Sequence, residues 1–260
     1  MRLGIELWQT LCENAADSKL FAALRKYGYS YVEPCVMFGP PNPDYPALWT
    51  VDTVKEMNPI IRAEGLSIES CTIFKAAETW NIPEVVSFAE MYNIKVIVVK
   101  SPHEVTIESF SSAAEEYEKL AAALKEKGIR LMLHADINDC SARLEGTSAY
   151  EWLLDHCHGL EAQADIGWMY YGGIDVVAFI EKYYNRIGSI HYKDVKGTKQ
   201  EYSDPAEAAR CAIGKGVVPI SNYIEYAKKR EVYEMVDSEE QDGPILIEMK
   251  NAAEYLLNKR

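Results

Sequence analysis

The chain has 260 residues, of which 48% are hydrophobic, and its formal net charge is −13 from 27 Lys and Arg against 40 Asp and Glu. Because nucleic acids and anionic membrane surfaces are bound by basic faces, this charge disfavours both as partners, although a small phosphorylated ligand is not excluded. The first ten residues lack the pattern of a signal peptide, and no apolar run approaches the roughly 20 residues of a membrane span. The six cysteines form no C-x-x-C pair, which is typical of reduced thiols, so we expect a cytoplasmic protein.

Apolar runs of strand length alternate with amphipathic segments of helical periodicity along the chain. The clearest strand is the uninterrupted run IKVIVV at 94–99, which is typical of a strand buried on both faces. The predicted strands are 1–8, 29–36, 66–74, 94–99, 129–133, 160–164, 186–190 and 232–236. The predicted helices are 18–27, 51–63, 83–92, 107–127, 148–156, 176–183, 219–230 and a last one after Gly243-Pro244.

The last strand has two interpretations. The run ILIEMKN at 245–251 resembles a strand that carries Glu248. Its apolar residues also continue at helical spacing toward the C-terminus, in which case the strand is VYEMV at 232–236 and ends at Asp237. We predict the second arrangement, because it completes an eighth strand–helix unit.

Eight alternating units with short connections predict an α/β protein with a single (β/α)8 TIM barrel domain over residues 1–260. The length agrees, because such barrels typically have about 250 residues. Their chemistry lies at the C-terminal ends of the strands, and polar or aromatic residues stand there in this chain. These strand-end residues are Trp8, Glu33, Thr72, Lys100, His134, Asp165, His191 and Asp237.

The sixth and seventh strand ends show the strongest pattern for a site. Asp165 ends one strand and His191 ends the next, with a predicted helix between them. A parallel sheet places two such ends side by side, so a carboxylate and an imidazole are expected to meet. Each residue also has a structural alternative, since Asp165 could cap a helix and His191 alone could be a core histidine.

The run DIGWMYYGGID at 165–175, followed by RIGSIHYKD at 186–194, resembles the xylose isomerase-like TIM barrel superfamily. That superfamily holds sugar phosphate isomerases and epimerases, inosose dehydratases and barrel AP endonucleases. The segments GIELW at 4–8 and GYSYVE at 28–33 agree with the same resemblance. It extends over essentially the whole chain and is specific for the superfamily rather than for one substrate.

The resemblance implies a divalent metal ion at the barrel mouth, either Mn, Mg, Co or Zn. Carried over by position, its ligands would be His134, Asp165, His191 and Asp237. Two positions depart from the family pattern. The family often has a proton-transferring glutamate where this chain has His134, and usually a glutamate where it has Asp237, with Glu239 two residues further on.

The activity implied is proton removal from carbon next to a carbonyl, through an enediolate that the metal stabilises. Glu33 and His134 are the candidate catalytic bases. The residues expected to bind a small sugar or sugar phosphate are Trp8, Trp168, Lys193 and Asp194. Family members usually assemble as dimers or tetramers, which implies a homodimer or homotetramer.

Three functions remain open at this point. The first is a metal-dependent sugar isomerase or epimerase, and the second is an inosose-type dehydratase or keto-glycoside lyase, which the histidine at position 134 favours. The third is a non-catalytic sugar-binding barrel with a degraded site. Gly214-Lys215-Gly216 is too weak a signal for phosphate binding and is interpreted as a loop turn, so phosphorylation of the substrate also stays open.

Overall fold

The computed structural model describes residues 2–8, 18–41, 48–76, 79–237 and 244–259. Within these ranges, eight strands pair in parallel around a closed barrel, and the pairing of the first strand with both the second and the last closes it. The strands are β1 (Leu3–Leu7), β2 (Tyr29–Phe38), β3 (Ser70–Lys75), β4 (Val96–Val99), β5 (Arg130–His134), β6 (Glu161–Asp165), β7 (Ile187–Tyr192) and β8 (Tyr233–Val236). The predicted (β/α)8 barrel is confirmed.

A helix follows each strand and covers the barrel from outside. These helices are α1 (Ser18–Tyr27), α2 (Val51–Ala63), α3 (Ile82–Tyr92), α4 (Ile107–Lys125), α5 (Ala149–His156), α6 (Val176–Lys182), α7 (Ile220–Lys229) and α8 (Ile245–Asn258). Three short helices are inserted at the C-terminal ends of β5, β6 and β7, and they surround that end of the barrel. They are Ile137–Ser141, Ile166–Tyr171 and Pro205–Ala209.

The start of the third strand differs from its prediction, and the structure decides between the two interpretations of the last strand. The third strand begins at Ser70, because Ser67–Ile68 makes a separate short pairing with β2. The segment that starts at Ile245 is helical, so Glu248 lies on α8 and the eighth strand leads to Asp237, as predicted.

Other expectations fall partly outside the described residues. Cys12 and Glu239 both lie outside these residues. The remaining five cysteines are buried and unbridged. No helix in the described ranges is long and apolar enough to cross a membrane.

The two faces of the barrel strands bury different partners. Ile97 and Val99 on β4 pack into the large core between sheet and helices. Val96 and Val98 alternate with them and join Met132 in a separate cluster on the inner face of the barrel. The continuous apolar run of β4 is therefore explained by burial on both sides.

A tyrosine ties the closing strands together. Tyr31 on β2 reaches past β1, and its hydroxyl donates to the carbonyl of Glu234 on β8 at 2.8 Å and accepts from the Glu234 N–H at 2.8 Å. The ring can cross β1 only because Gly4 lies opposite it in register; a Cβ at Gly4 would stand 2.2 Å from Tyr31 Cε2. Gly4 is thus required by close packing at the seam where the barrel closes.

Gly4→Ala should lower the free energy of unfolding by about 1–3 kcal/mol, because the added methyl group overpacks the seam. The same substitution should cost less in a Tyr31→Leu background, since the ring it strikes is gone. Urea unfolding of the two single variants and the double variant measures this coupling. Equal costs of Gly4→Ala in both backgrounds would contradict the packing explanation.

Candidate active site at the barrel mouth

Four buried side chains meet where β5 to β8 end. Each of His134, Asp165, His191 and Asp237 offers one ligand atom, and these atoms all lie within 4.8 Å of one another. The parallel register brings them there, since Asp165 on β6 pairs with His191 on β7. The structure therefore brings together the four side chains that were expected to bind metal.

Asp165 is oriented by the turn that it starts. Its Oδ1 accepts a hydrogen bond from the N–H of Trp168 at 2.9 Å, so Asp165 also caps the short helix Ile166–Tyr171. Its Oδ2 is buried and makes no hydrogen bond with any described residue. Burial and repulsion from Asp237 raise the pKa of the Asp165 carboxyl well above its usual range, although Lys193 opposes this.

His191 is surrounded by carboxylates. Its Nδ1 lies 3.7 Å from Glu6 Oε2 and 3.6 Å from Asp237 Oδ2, and its Nε2 lies 3.4 Å from Glu33 Oε1. Burial alone would lower the pKa of His191, but the neighbouring carboxylates outweigh it and hold that pKa well above the ordinary value. Neither ring nitrogen makes a well-formed hydrogen bond with the described residues.

His134 has the opposite electrostatic environment. Burial, together with the charges of Lys100 and His191, lowers the pKa of His134 to about 3. Its ring is therefore neutral at physiological pH, which is the form that binds metal. Its Nδ1 lies 2.8 Å from Gln163 Oε1, and the ring centroid lies 5.0 Å from that of His191.

Two tryptophan–lysine pairs lie near the four candidate ligands His134, Asp165, His191 and Asp237, called the ligand cluster below. Lys193 Nζ lies 4.5 Å from the Trp168 ring centroid, 3.2 Å from Asp237 Oδ1 and 4.0 Å from Asp165 Oδ2. At the ends of β1 and β4, Lys100 Nζ lies 4.9 Å from the Trp8 ring centroid. Trp8, Trp168 and Lys193, three of the residues expected to bind substrate, thus have an arrangement that suits this role.

The carboxylate of Asp194, which was predicted to bind substrate, is hydrogen-bonded to a loop. Its buried carboxylate points into the loop after β7 and accepts the N–H groups of Gly214 and Gly216, each at 2.9 Å, and that of Val218 at 3.1 Å. A Cβ at Gly216 would stand 2.3 Å from Asp194 Oδ1, so the glycine permits this approach. Asp194 supports the loop, and its described contacts give no reason to expect contact with a substrate.

Glu33, which was predicted to act as a base, lies among hydrogen-bond donors. The residue is fully buried, and its carboxylate accepts hydrogen bonds from Thr72 Oγ1 at 3.0 Å and from Gln163 Nε2 at 3.1 Å. Burial raises the pKa of Glu33, but hydrogen bonding and the charge of His191 outweigh this and lower it. Glu33 is therefore an ionised group enclosed by its hydrogen-bond donors.

Two buried polar residues of the site, Glu6 and Gln163, are absent from the sequence-based prediction. Strand periodicity could have found both, because Glu6 faces away from Leu3, Ile5 and Leu7, and Gln163 stands two residues before Asp165. Burial and repulsion from Asp237 raise the pKa of Glu6 to about 8.

Comparisons with known proteins agree with this fold. No family model matches the chain. A sugar phosphate isomerase/epimerase from Parabacteroides distasonis superposes with a TM-score of 0.76 at 18% identity, over 98% of this chain and 92% of that one. A xylose isomerase-like TIM barrel protein from Mycobacterium smegmatis in complex with magnesium has a TM-score of 0.62 at 14% identity, over 93% and 87%. The fold is that of the xylose isomerase-like TIM barrels.

Curated relatives are similar over part of this xylose isomerase-like barrel. Inosose dehydratases from two strains of Clostridium perfringens are 26% identical over 162 residues, which is 59% of this chain and 53% of theirs. The chain therefore spans about half the length of the curated relatives it matches.

The ligand cluster of the barrel suits a divalent cation. Two imidazoles and two carboxylates form a mixed donor set that Mn, Co and Zn prefer over Ca. The buried Oδ2 of Asp165 and one nitrogen of His191, without hydrogen bonds to described residues, are donor atoms of the kind that an ion satisfies.

Asp237→Asn should weaken Mn²⁺ binding by more than the roughly 10–100-fold that loss of an outer partner of a metal ligand costs. Glu248→Gln is the matched control, because it removes the other carboxylate considered for the eighth strand end, which lies on α8. Isothermal titration calorimetry measures both affinities. Unchanged binding by Asp237→Asn, or an equal loss in both variants, would contradict the proposed ligand set.

Proposed function

We propose that the protein is a metal-dependent sugar isomerase or epimerase that removes a proton from carbon next to a carbonyl. The observation that carries the proposal is the four-residue ligand cluster at the barrel mouth, with the Lys193 ammonium beside it. The structural similarity to the Parabacteroides sugar phosphate isomerase/epimerase supports it.

His134, Asp165, His191 and Asp237 would hold the metal. When bound, a divalent cation polarises the substrate carbonyl as a Lewis acid. Binding of the oxyanion and transfer of the proton are assigned to protein side chains.

Lys193 is proposed to bind the substrate oxygen on which negative charge develops. Its ammonium is 3% exposed and is held between Asp237 and the Trp168 ring. A preorganised cation in a space with little water stabilises a developing oxyanion far better than an exposed one does.

Asp237 is proposed to take the proton from carbon in place of the two bases first expected. The side chain of Glu33 is enclosed by its donors, and the low pKa of His134 makes its imidazole a weak base. Asp237 Oδ1 lies 3.2 Å from Lys193 Nζ, so the carboxylate that accepts the proton and the ammonium that binds the oxyanion are adjacent.

The substrate is proposed to be an uncharged sugar rather than a sugar phosphate. The glycine turn at Gly214 and Gly216, whose N–H groups could bind a phosphate, already binds the Asp194 carboxylate. Lys193 and Lys100 are each ion-paired with an aspartate. The segments 9–17, 42–47, 77–78 and 238–243, which follow strand ends in sequence, contain no Lys or Arg.

A dehydratase is the second candidate, favoured by the sequence similarity to inosose dehydratases. Elimination begins with the same proton removal and then expels a hydroxyl group at the β-carbon. The mass of the product separates the two reactions, because only elimination loses water.

The proposal predicts metal-dependent exchange of solvent deuterium into a ketose. The Mn²⁺-loaded protein is incubated in D₂O with fructose, fructose 6-phosphate and inosose in parallel, and NMR and mass spectrometry follow exchange and product. Exchange into fructose that EDTA abolishes and Mn²⁺ restores is expected. Exchange into the phosphate ester alone would overturn the uncharged substrate, loss of water from inosose alone would favour the dehydratase, and no metal-dependent reaction would overturn the proposal.

Lys193→Met should reduce the exchange rate by about 10²–10³-fold, as removal of an oxyanion donor does, while Mn²⁺ still binds. Lys199→Met is the control, because this exposed lysine lies in the loop that follows β7. An exchange rate in Lys193→Met equal to that of the control would exclude the role proposed for Lys193.

A further inference from the structure

A chain of buried polar groups beneath the ligand cluster joins its two histidines. Glu33 occupies the centre, with Gln163 Nε2 at 3.1 Å from each of its two oxygens. The other end of the same amide, Gln163 Oε1, lies 2.8 Å from His134 Nδ1. On another side, His191 Nε2 lies 3.4 Å from Glu33 Oε1.

The direction of each hydrogen bond follows from the carboxylate. Gln163 Nε2 lies 3.1 Å from both oxygens of Glu33, so the amide presents its NH₂ group to that carboxylate. Its carbonyl oxygen therefore faces His134, and His134 Nδ1 must carry the proton of that hydrogen bond. In the neutral ring this leaves Nε2 with a free lone pair for coordination.

The same carboxylate acts directly on the second histidine. Glu33 Oε1 lies 3.4 Å from His191 Nε2, and a carboxylate beside that nitrogen favours a proton on it. Nδ1 is then the coordinating atom, and it is the nitrogen that lies 3.6 Å from Asp237 Oδ2.

We propose that Glu33, directly at His191 and through Gln163 at His134, determines which nitrogen of each histidine coordinates the metal. Glu33 and Gln163 are then positioning residues, and this assignment rests on the metal-dependent function proposed above. Partners of this kind fix the tautomer and the ring orientation of ligating histidines.

The tautomer of His134 can be measured without metal, substrate or turnover. In metal-free protein labelled with ¹⁵N-histidine, long-range ¹H–¹⁵N spectra at neutral pH should show His134 protonated at Nδ1. The zinc-loaded protein should show His191 protonated at Nε2. A wild-type spectrum with His134 protonated at Nε2 would overturn the proposal, whether or not the protein turns over any sugar.

Glu33→Gln should allow two orientations of the Gln163 amide, because an amide at position 33 can both donate and accept a hydrogen bond. We expect His134 to populate both tautomers and Mn²⁺ affinity to fall by roughly 10–100-fold. The double variant E33Q/Q163E should restore the Nδ1-protonated form, because the carboxylate at position 163 accepts from both neighbours. It should also restore part of the affinity.

The double variant separates positioning from simple packing. Both variants lose the same buried carboxylate at position 33, so circular dichroism and thermal unfolding first establish that each is folded. Recovery of the tautomer in the double variant supports the proposal. The proposal would be overturned if Glu33→Gln kept His134 protonated at Nδ1 and bound Mn²⁺ with unchanged affinity. It would also be overturned if the double variant folded but recovered neither the tautomer nor the Mn²⁺ affinity.

Discussion

The carboxylates of Glu6, Glu33, Asp165 and Asp237 share with the imidazole of His191 a space in which each side chain is 4% exposed or less. Removing charges from water is costly unless opposite charges or hydrogen bonds compensate for it. Here the compensation comes from His191 and Lys193, and from protons, as the raised pKa values of Glu6 and Asp165 indicate. A site with such an excess of buried carboxyl groups is suited to receive a divalent cation, because the cation replaces protons as the compensating charge.

The barrel provides this arrangement through its topology rather than through any local segment. The C-terminal ends of the parallel strands all lie on one side, so the side chains at the ends of β5, β6, β7 and β8 converge although up to about a hundred residues separate them in sequence. The closing seam between β8 and β1 holds Asp237 near His191, and it depends on the hydroxyl of Tyr31 and the absence of a side chain at Gly4. The close packing of Tyr31 against Gly4 thus helps to position Asp237 beside His191.

The polar contacts of the buried residues at the barrel mouth fall into separate groups. Lys193 pairs with Asp237 within the cluster, whereas Gln163 joins Glu33 to His134. Asp194 stands one residue after Lys193 and yet supports a loop. Adjacent residues of one strand end therefore serve different purposes, because their side chains point in different directions.

The sequence alone determined the alternation of strands and helices and the barrel, because burial patterns and strand ends are local properties of a chain. Its resemblance to a barrel family indicated the four candidate metal ligands that the structure brings together. The sequence also indicated Trp168 and Lys193 as candidate substrate-binding residues, and the two lie together in the structure. Only the tertiary structure decided the roles of Glu33 and Asp194, because their partners, Gln163 and the glycine turn at 214–216, lie 130 and about 20 residues away. A hydrogen bond depends on distance and direction between groups that the fold brings together, and neither can be derived from the order of residues along the chain.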